Sequence, residues 1–363
     1  MRKLKKTSVG ILGATGMVGQ NYVRLLENHP WFEVRAVAAS PQSAGKPYSE
    51  AVAGKWQMPC EVPKEVQGLV VEDASNVKKI SEQCELVFSA LEMDKQQIKD
   101  LESSYAAQDI PLFSNASAHR STEDVPVIIP EVNPQHLEII PEQQKHYGWK
   151  KGFIVVKPNC SLQSYITPVA AIQAAGFEVE QIIVTTLQAS SGAGYPGVPS
   201  MDLVDNVIPF ISGEEEKTEL EPLKIFGKIQ SGKFVPALKP LISAHCNRVP
   251  VVDGHMACTS LQFAGKKPGI EEILQAWKDF KPEPQRLKLP FAPERAVIYK
   301  TEENRPQPRK DRDLDKAMAV TVGRLRPCRV FDYRFVGLSH NTVRGAAGGG
   351  ILNAELAKAK GYF

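Results

Sequence analysis

The sequence predicts an α/β protein in which a Rossmann-type parallel-sheet domain precedes an α+β domain. Three observations carry this. The buried-strand pattern Ser8-Val9-Gly10-Ile11-Leu12 runs into Gly13-Ala14-Thr15-Gly16-Met17-Val18-Gly19 and then a helix with Val18, Tyr22, Leu25 and Leu26 at helical spacing. Strand and helix patterns alternate from there to about residue 157, and from Gln181 the alternation gives way to a mixture richer in strands. At 363 residues the chain also exceeds the ~250–300 at which a single core stops growing. Two domains are expected: 1–157, completed by a C-terminal helix within 341–363, and 158–340.

Taken in order, the first strand, glycine turn and helix form the opening of a dinucleotide fold. Gly13, Gly16 and Gly19 keep the turn tight, and the backbone around Thr15, Met17 and Val18 comes close to a pyrophosphate at the helix start. A second strand over 33–39 lies at βαβ distance, and strands over 86–89 and 110–113 flank a helix over 94–107. The second strand ends without the acid that receives a ribose diol. Ser40, Ser43 and Lys46 stand there instead, two hydroxyls and an ammonium that suit a 2′-phosphate, so NADP is expected over NAD. The proline-rich stretch 129–149 reads as a surface crossover, and the strand 153–156 closes the first domain. Strand-like runs at 182–186, 257–263, 317–322 and 330–336 accompany helices at 214–226 and 270–280. They predict a largely antiparallel second sheet covered by helices on one face. The tail 345–361 reads as a glycine-rich bend and a helix packing back on the first domain.

Composition narrows the function classes. Apolar residues at 42% and charged residues at 23% are ordinary for a globular protein. A net charge of +3 with scattered Lys and Arg gives no nucleic-acid footprint, and Arg2, Lys3, Lys5 and Lys6 read as a solvated lead-in. No secretory signal and no run long enough to span a bilayer is expected. The six cysteines are widely spread, without a C-x-x-C pair or zinc spacing, so no metal is expected and a reduced cytoplasmic enzyme is the simplest reading.

Cys160, in Lys157-Pro158-Asn159-Cys160-Ser161, stands between the apolar strand 153–156 and a helical stretch over 164–175. A cysteine at a helix start meets unpaired N–H groups and the positive end of the dipole, so its pKa is expected to fall and an oxyanion can be held beside it. A thiol beside a nicotinamide implies addition to an aldehyde, hydride loss and a thioester that phosphate cleaves to an acyl phosphate. His255, in Asp253-Gly254-His255, is the candidate base that takes and returns the proton.

With these motifs in place the sequence resembles the aspartate-β-semialdehyde dehydrogenases, and their archaeal and fungal branch more than the common bacterial one. The resemblance runs through 13–19, Ser114-Asn115-Ala116-Ser117-Ala118-His119-Arg120, 157–164, Gln188-Ala189-Ser190-Ser191-Gly192-Ala193-Gly194, 214–224, Asn247-Arg248-Val249-Pro250-Val251 through His255, and 341–350. It implies a glyceraldehyde-3-phosphate-dehydrogenase-like fold and reversible, NADP-dependent conversion of L-aspartate 4-semialdehyde and inorganic phosphate to aspartyl phosphate, feeding lysine, threonine, methionine and diaminopimelate synthesis. It implies Cys160 as nucleophile, His255 as acid and base, Asn159 beside the thiol and Gln188 orienting the adduct. Arg248 would grip the substrate carboxylate, Glu221 its ammonium, and Lys224 and Arg120 the phosphate. Ser89, Gly192 and Asn341 would lie against the nucleotide. A homodimer or homotetramer built on the second domain is also implied.

The branch often carries an Arg where this chain has Gln42. Its malonyl-CoA reductases share the Gly194-Tyr195-Pro196-Gly197 region, and N-acetyl-glutamyl-phosphate reductase is a more distant relative by chemistry. The Lys-Pro-Asn-Cys-Ser and Asn-Arg-Val-Pro-Val runs favour the amino-acid enzyme. A nucleotide-sensing protein without chemistry is the alternative from another class.

Overall fold

Residues 5–363 are described by the computed structural model, so Arg2 and Lys3 of the basic lead-in lie outside the described residues. Six short apolar strands form the first sheet: β1 (Thr7–Leu12), β2 (Phe32–Ala39), β3 (Val71–Asp73), β4 (Leu86–Ser89), β5 (Pro111–Ser114) and β6 (Phe153–Val156). All pairings are parallel, in the order β3-β2-β1-β4-β5-β6. The winding reverses between β1 and β4, which leaves a crevice at their carboxyl ends, the place where such sheets bind ligands. Helix α1 (Met17–Leu25) follows β1, and α2 (Lys95–Ala107) is started by Asp94, whose carboxylate accepts from the Gln96 and Gln97 N–H groups.

The stretch 129–149 is not the surface crossover that its prolines suggest. It forms a 3₁₀ turn (Pro134–Ile139) and α3 (Ile140–Tyr147), with Ile129, Leu137, Ile139 and Ile140 buried. Pro134 and Pro141 sit at first-turn positions, where a missing N–H costs no helical bond, so they start these helices instead of breaking them. Gln143 then uses its side-chain amide as a strand would, donating to the Ile154 carbonyl (3.1 Å) and accepting from the Ile154 N–H (2.7 Å) along β6.

The second sheet contains β7 (Val179–Gln188), β8 (Leu241–Arg248), β9 (His255–Phe263), β10 (Val297–Lys300), β11 (Val320–Pro327) and β12 (Tyr333–Ser339), ordered β8-β7-β9-β12-β11-β10. It is mixed: the three central pairings are antiparallel and the two outer ones, β8 with β7 and β10 with β11, are parallel. Strands β8 and β10 carry little apolar periodicity and are absent from the sequence reading. Helix α4 (Ile166–Ala174) and helix α6 (Ile270–Asp279) bury one face through Val169, Ile172, Ile273 and Trp277. Helix α5 (Glu214–Ile225) lies along the edge strand β8. Its Glu215 and Glu219 carboxylates accept from the Cys246 (3.1 Å) and Ala244 (3.0 Å) N–H groups, closing an edge that would otherwise pair with another chain. The expected return of the tail is seen: α7 (Gly348–Ala359) packs on α1 and β5 of the first sheet.

Candidate active site

Strand direction gathers the site. Because β8 is parallel and β9 antiparallel to β7, the end of β7 (Gln188), the end of β8 (Arg248) and the start of β9 (His255) meet at one edge, and Asn341 follows the end of β12 beside them. That edge faces the carboxyl ends of the first sheet across a cleft of about 410 Å³. Met17, Val18, Asn115, Ser117 and Arg120 line one wall; Cys160, Gly192, Glu214, Lys217 and Asn341 line the other.

Cys160 is partly exposed in this cleft, and its Sγ lies 3.4 Å from His255 Nε2. Sequence reading placed the thiol at the first turn of a helix and lowered its pKa; the structure corrects both. A five-residue 3₁₀ turn (Cys160–Ser164) intervenes before α4, and so short a turn carries little dipole. Burial pushes the thiol up, aided by the Glu214 carboxylate, against the opposing charges of Lys157, Arg120 and Arg248. His255 is fully buried, and burial, followed by the charges of Arg248, His340 and Lys157, holds it well below the ordinary histidine range. Its Nδ1 accepts the Ala189 backbone N–H at 3.0 Å. A Cβ on Gly192 would come within 2.8 Å of Arg248 Nη1 and 3.2 Å of His255 Nε2, so a side chain there would press on both functional groups.

Asn159 is the joint of the site. Its Oδ1 accepts from Ser161 N–H (2.8 Å) and Oγ (2.9 Å), capping the turn that carries Cys160. Its Nδ2 donates to Glu214 Oε2 (2.8 Å), and its backbone N–H to Glu221 Oε2 (2.7 Å). Gln188 Nε2 also donates to Glu214 Oε2 (3.2 Å). Burial works to raise the Glu214 pKa, but the Asn159 and Gln188 bonds and the Lys217 charge outweigh it and keep the group ionised.

Helix α5 therefore presents Glu214 and Lys217 to the cleft, not the Glu221 and Lys224 chosen from sequence. Glu221 receives Arg120 Nη1 (2.8 Å) as well as the Asn159 N–H and lies outside the cleft lining. Lys224 Nζ donates to the carbonyls of Arg120 (2.9 Å), Thr122 (2.7 Å) and Val125 (2.7 Å), which fills its three donors away from the cleft. Arg120 does reach the cleft, steadied by Glu221 and by the Lys157 and Asn115 carbonyls. Arg248 is buried, with Nη1 on the Ala189 carbonyl at 2.7 Å. Lys157, named in the cysteine motif but given no role from sequence, is 4% exposed and lines the cleft; burial pushes its ammonium down to about 7. Its only sequence signal was its place three residues before the cysteine.

On the nucleotide wall, Met17, Val18, Gly192 and Asn341 reach the cleft as expected. Gly13 has φ +77°, and a Cβ there would strike the Ala90 carbonyl at 2.4 Å. Helix α1 starts at Gly16 with no side-chain cap, leaving its first N–H groups for a ligand's phosphate. Asn115 lines the same wall with a buried Oδ1 that has no protein partner. Thr15 and Gly19 belong to this turn, the Thr15 carbonyl accepting from Gln20 Nε2. Ser89 does not reach a ligand: its buried Oγ donates to Glu102 at 2.6 Å, and the neighbouring Ala90 and Leu91 line the cleft instead. Ser40, Ser43 and Lys46 lie past the end of β2, Ser40 and Lys46 exposed, outside the cleft itself. Among the described residues no three His, Cys, Asp or Glu side chains gather to hold a metal ion, and no helix is long and apolar enough to cross a membrane.

Behind Cys160, the segment 343–347 is anchored by Arg344, whose Nη2 donates to Glu131 Oε2 at 2.7 Å and whose Nε donates to Gln163 at 3.0 Å, all three side chains being buried.

An uncapped helix start across a cleft from a cysteine–histidine pair fits a nucleotide-dependent dehydrogenase. Two family models agree: the semialdehyde dehydrogenase NAD binding domain matches residues 8–140, and the semialdehyde dehydrogenase dimerisation domain matches 169–344. The chain belongs to the aspartate-semialdehyde dehydrogenase family. It is 46% identical to the Aspergillus fumigatus aspartate-semialdehyde dehydrogenase over the whole of both chains, and 48% identical to that of Methanothermobacter thermautotrophicus over 96% of this chain and 98% of the relative. The solved Candida albicans aspartate semialdehyde dehydrogenase with NADP superposes with a TM-score of 0.89 at 39% identity, covering 99% of this chain and all of that one. The Vibrio cholerae enzyme II, at 22% identity and a TM-score of 0.75, shares the fold.

Proposed function

We propose that this chain is an NADP-dependent, phosphorylating aspartate-semialdehyde dehydrogenase that works through a thioester on Cys160. The observation that carries the reading is the 3.4 Å contact between Cys160 Sγ and His255 Nε2 at the mouth of a cleft whose other wall is an uncapped helix start. NADP, held by the turn 13–19 with Asn115, Gly192 and Asn341, supplies the hydride acceptor; Ser40, Ser43 and Lys46 would meet its 2′-phosphate. The chain's own residues do the rest.

Arg248 takes the substrate carboxylate, as the planar fork of a buried guanidinium suits. Glu214 replaces Glu221 as the anion for the substrate ammonium, and Lys217 replaces Lys224 as the phosphate ligand, joined by Arg120. Gln188 and Asn159 hold Glu214 in place and orient the adduct. Lys157 adds positive charge beside the sulfur, favouring the thiolate when it forms and the incoming phosphate after it.

In this reading 1–157 with 341–363 form the nucleotide domain and 158–340 the catalytic one. The open face of the second sheet, where Ile183 and Leu241 are exposed, joins a second copy into a homodimer or homotetramer. A cytoplasmic enzyme supplying lysine, threonine and methionine synthesis fits this chemistry. The test is NADPH formation from NADP, inorganic phosphate and L-aspartate 4-semialdehyde. We expect turnover that needs phosphate and disappears in Cys160→Ser; turnover of malonyl-CoA with no semialdehyde activity would overturn the reading.

A further inference from the structure

Behind the nucleotide wall of the cleft, helix α2 carries a carboxyl group that the chemistry at Cys160 does not use. Glu102 is 0% exposed, and its Oε1 accepts from Ser89 Oγ at 2.6 Å and from Ser114 Oγ at 2.7 Å. Those serines are the last residues of β4 and β5. The Asn115 N–H, donating to the Ser89 carbonyl at 2.9 Å, continues the same seam. Immediately beyond it the chain becomes cleft wall: residues 90–92 after β4, and Asn115, Ser117 and Arg120 after β5.

The other carboxyl oxygen faces the far end of the second of these loops. Oε2 is buried with no protein partner at hydrogen-bond distance, and so is His119 Nε2, 3.8 Å away. His119 is itself buried; its other polar neighbours are the Lys99 carbonyl on the same helix and the Thr122 hydroxyl, 3.4 Å from Nδ1. Buried polar atoms without partners are rare in folded proteins, and two that face one another serve each other, directly or through one shared water. Glu102 thus stands at both ends of 114–119, and Arg120 is the residue that follows. Burial pushes the carboxyl up to about 7 against both serine bonds, so the group sits here at a cost that apolar packing would avoid.

We propose that Glu102 is the positioning residue of the nucleotide and phosphate wall: one carboxyl group joins the ends of β4 and β5 and clasps both ends of the 114–119 loop, so that Asn115 and Arg120 reach the cleft at a fixed depth. Glu102 touches neither nucleotide nor phosphate and acts through the loops it holds. Loops that present ligand groups need such support, because a shift of about 1 Å at a binding group costs up to about 100-fold. The inference deepens the reading of Arg120 as a phosphate ligand and rests on it. It also gives Ser89 and His119, which lie outside the cleft lining, a part in the site.

Substitution at either end of the clasp tests this, with active enzyme counted by titrating Cys160. Glu102→Leu should raise the KM for NADP and the KM for inorganic phosphate about tenfold each, with kcat per titrated thiol within about threefold of the parent. Glu102→Gln, which keeps an acceptor for the serines and an amide for His119, should stay within about threefold on every constant. His119→Leu opens only the far end, so the phosphate KM should rise about tenfold while the NADP KM stays within about twofold. Should Glu102→Leu not fold, His119→Leu decides alone: an unchanged phosphate KM there overturns the proposal. A Glu102→Gln enzyme as impaired as Glu102→Leu, or lowered melting temperatures with both KM values intact, would make Glu102 a packing residue and overturn it equally. The Kd of NADP, read from quenching of tryptophan fluorescence, carries the Glu102 arm without turnover. A protein that used neither phosphate nor the semialdehyde would therefore sink the functional reading while the clasp was still judged on nucleotide binding.

Discussion

Helix α5 carries two Glu-x-x-Lys pairs, Glu214 with Lys217 and Glu221 with Lys224, seven residues apart and opposite in fate. The upper pair lines the cleft, and Lys217 holds Glu214 at 3.0 Å. The lower pair is locked: Arg120 and the Asn159 N–H take up Glu221, and three carbonyls take up Lys224. At 3.6 residues per turn all four side chains fall within about 80° on one stripe, so periodicity cannot separate them. Only their position along the axis does, about 10 Å between the pairs. One end of the stripe meets open cleft, and the other meets the Arg120, Thr122 and Val125 carbonyls of the turn that follows β5. The difference teaches that a charge becomes a ligand group where the surrounding backbone has left it nothing to satisfy.

That contrast can be broken by substitution. The largest effect is expected from Glu221→Leu, which strands the Arg120 guanidinium and the Asn159 N–H; a loss of about 3–5 kcal/mol in denaturant unfolding is expected. Glu214→Gln keeps an oxygen for Asn159 and Gln188 and loses only the charge that faces Lys217, so it should cost less, about 1–2 kcal/mol, and act mainly on turnover. Equal stability losses for the two would erase the distinction.

The pH dependence of stability sharpens the comparison at the locked end. His136, whose Nε2–H donates to the Gly227 carbonyl just past α5, is pushed down to about 4, chiefly by burial and further by the Lys224 charge; His119 is likewise pushed to about 4 by burial first. Unfolded histidine binds its proton near 6.5, so these depressed groups contribute fully above that pH and lose their contribution as pH falls towards 4. Each accounts for about 3 kcal/mol across that window. Unfolding curves of His136→Asn should lose about that much of the acid slope, whereas Lys217→Met should keep all of it.

Next comes Lys224→Met, expected to cost about 2–3 kcal/mol by leaving the Arg120 and Val125 carbonyls without a donor and the Thr122 carbonyl with the Val125 N–H alone, with the KM for phosphate little changed once the protein is folded. The smallest effect, and the most diagnostic, is Lys217→Met: unchanged melting temperature and a phosphate KM raised about tenfold, equivalent to about 1.4 kcal/mol. A phosphate KM that moves with Lys224 and not with Lys217 would restore the pair read from sequence.

The same reasoning explains what was legible beforehand. The turn 13–19, the strands β1, β2, β4 and β6 and the helices α2, α5 and α6 announce themselves because glycine spacing and apolar periodicity are local properties. Cys160 and His255 were found through their motifs, and strand direction brought them together. What stayed hidden depends on partners distant in the chain. Strand β8 exposes one face and has its N–H groups capped from α5, so its sequence lacks a clear strand period. Ser89 reads as a ligand hydroxyl until Glu102, thirteen residues on, is seen to accept from it. The 129–149 segment hides two helical pieces behind prolines that happen to start them. The thiol's upward shift follows from enclosure and from Glu214, neither of which a local motif records.

The Arg344–Glu131–Gln163 network fixes residues 343–347 as the wall behind Cys160, and α7 leads on from that wall onto α1 and β5. A nascent polypeptide therefore carries its future nucleophile through about half of its synthesis, from residue 160 to residue 343, before the wall behind it exists. Chains cut short of residue 343 lack this wall and are expected to show no aldehyde turnover.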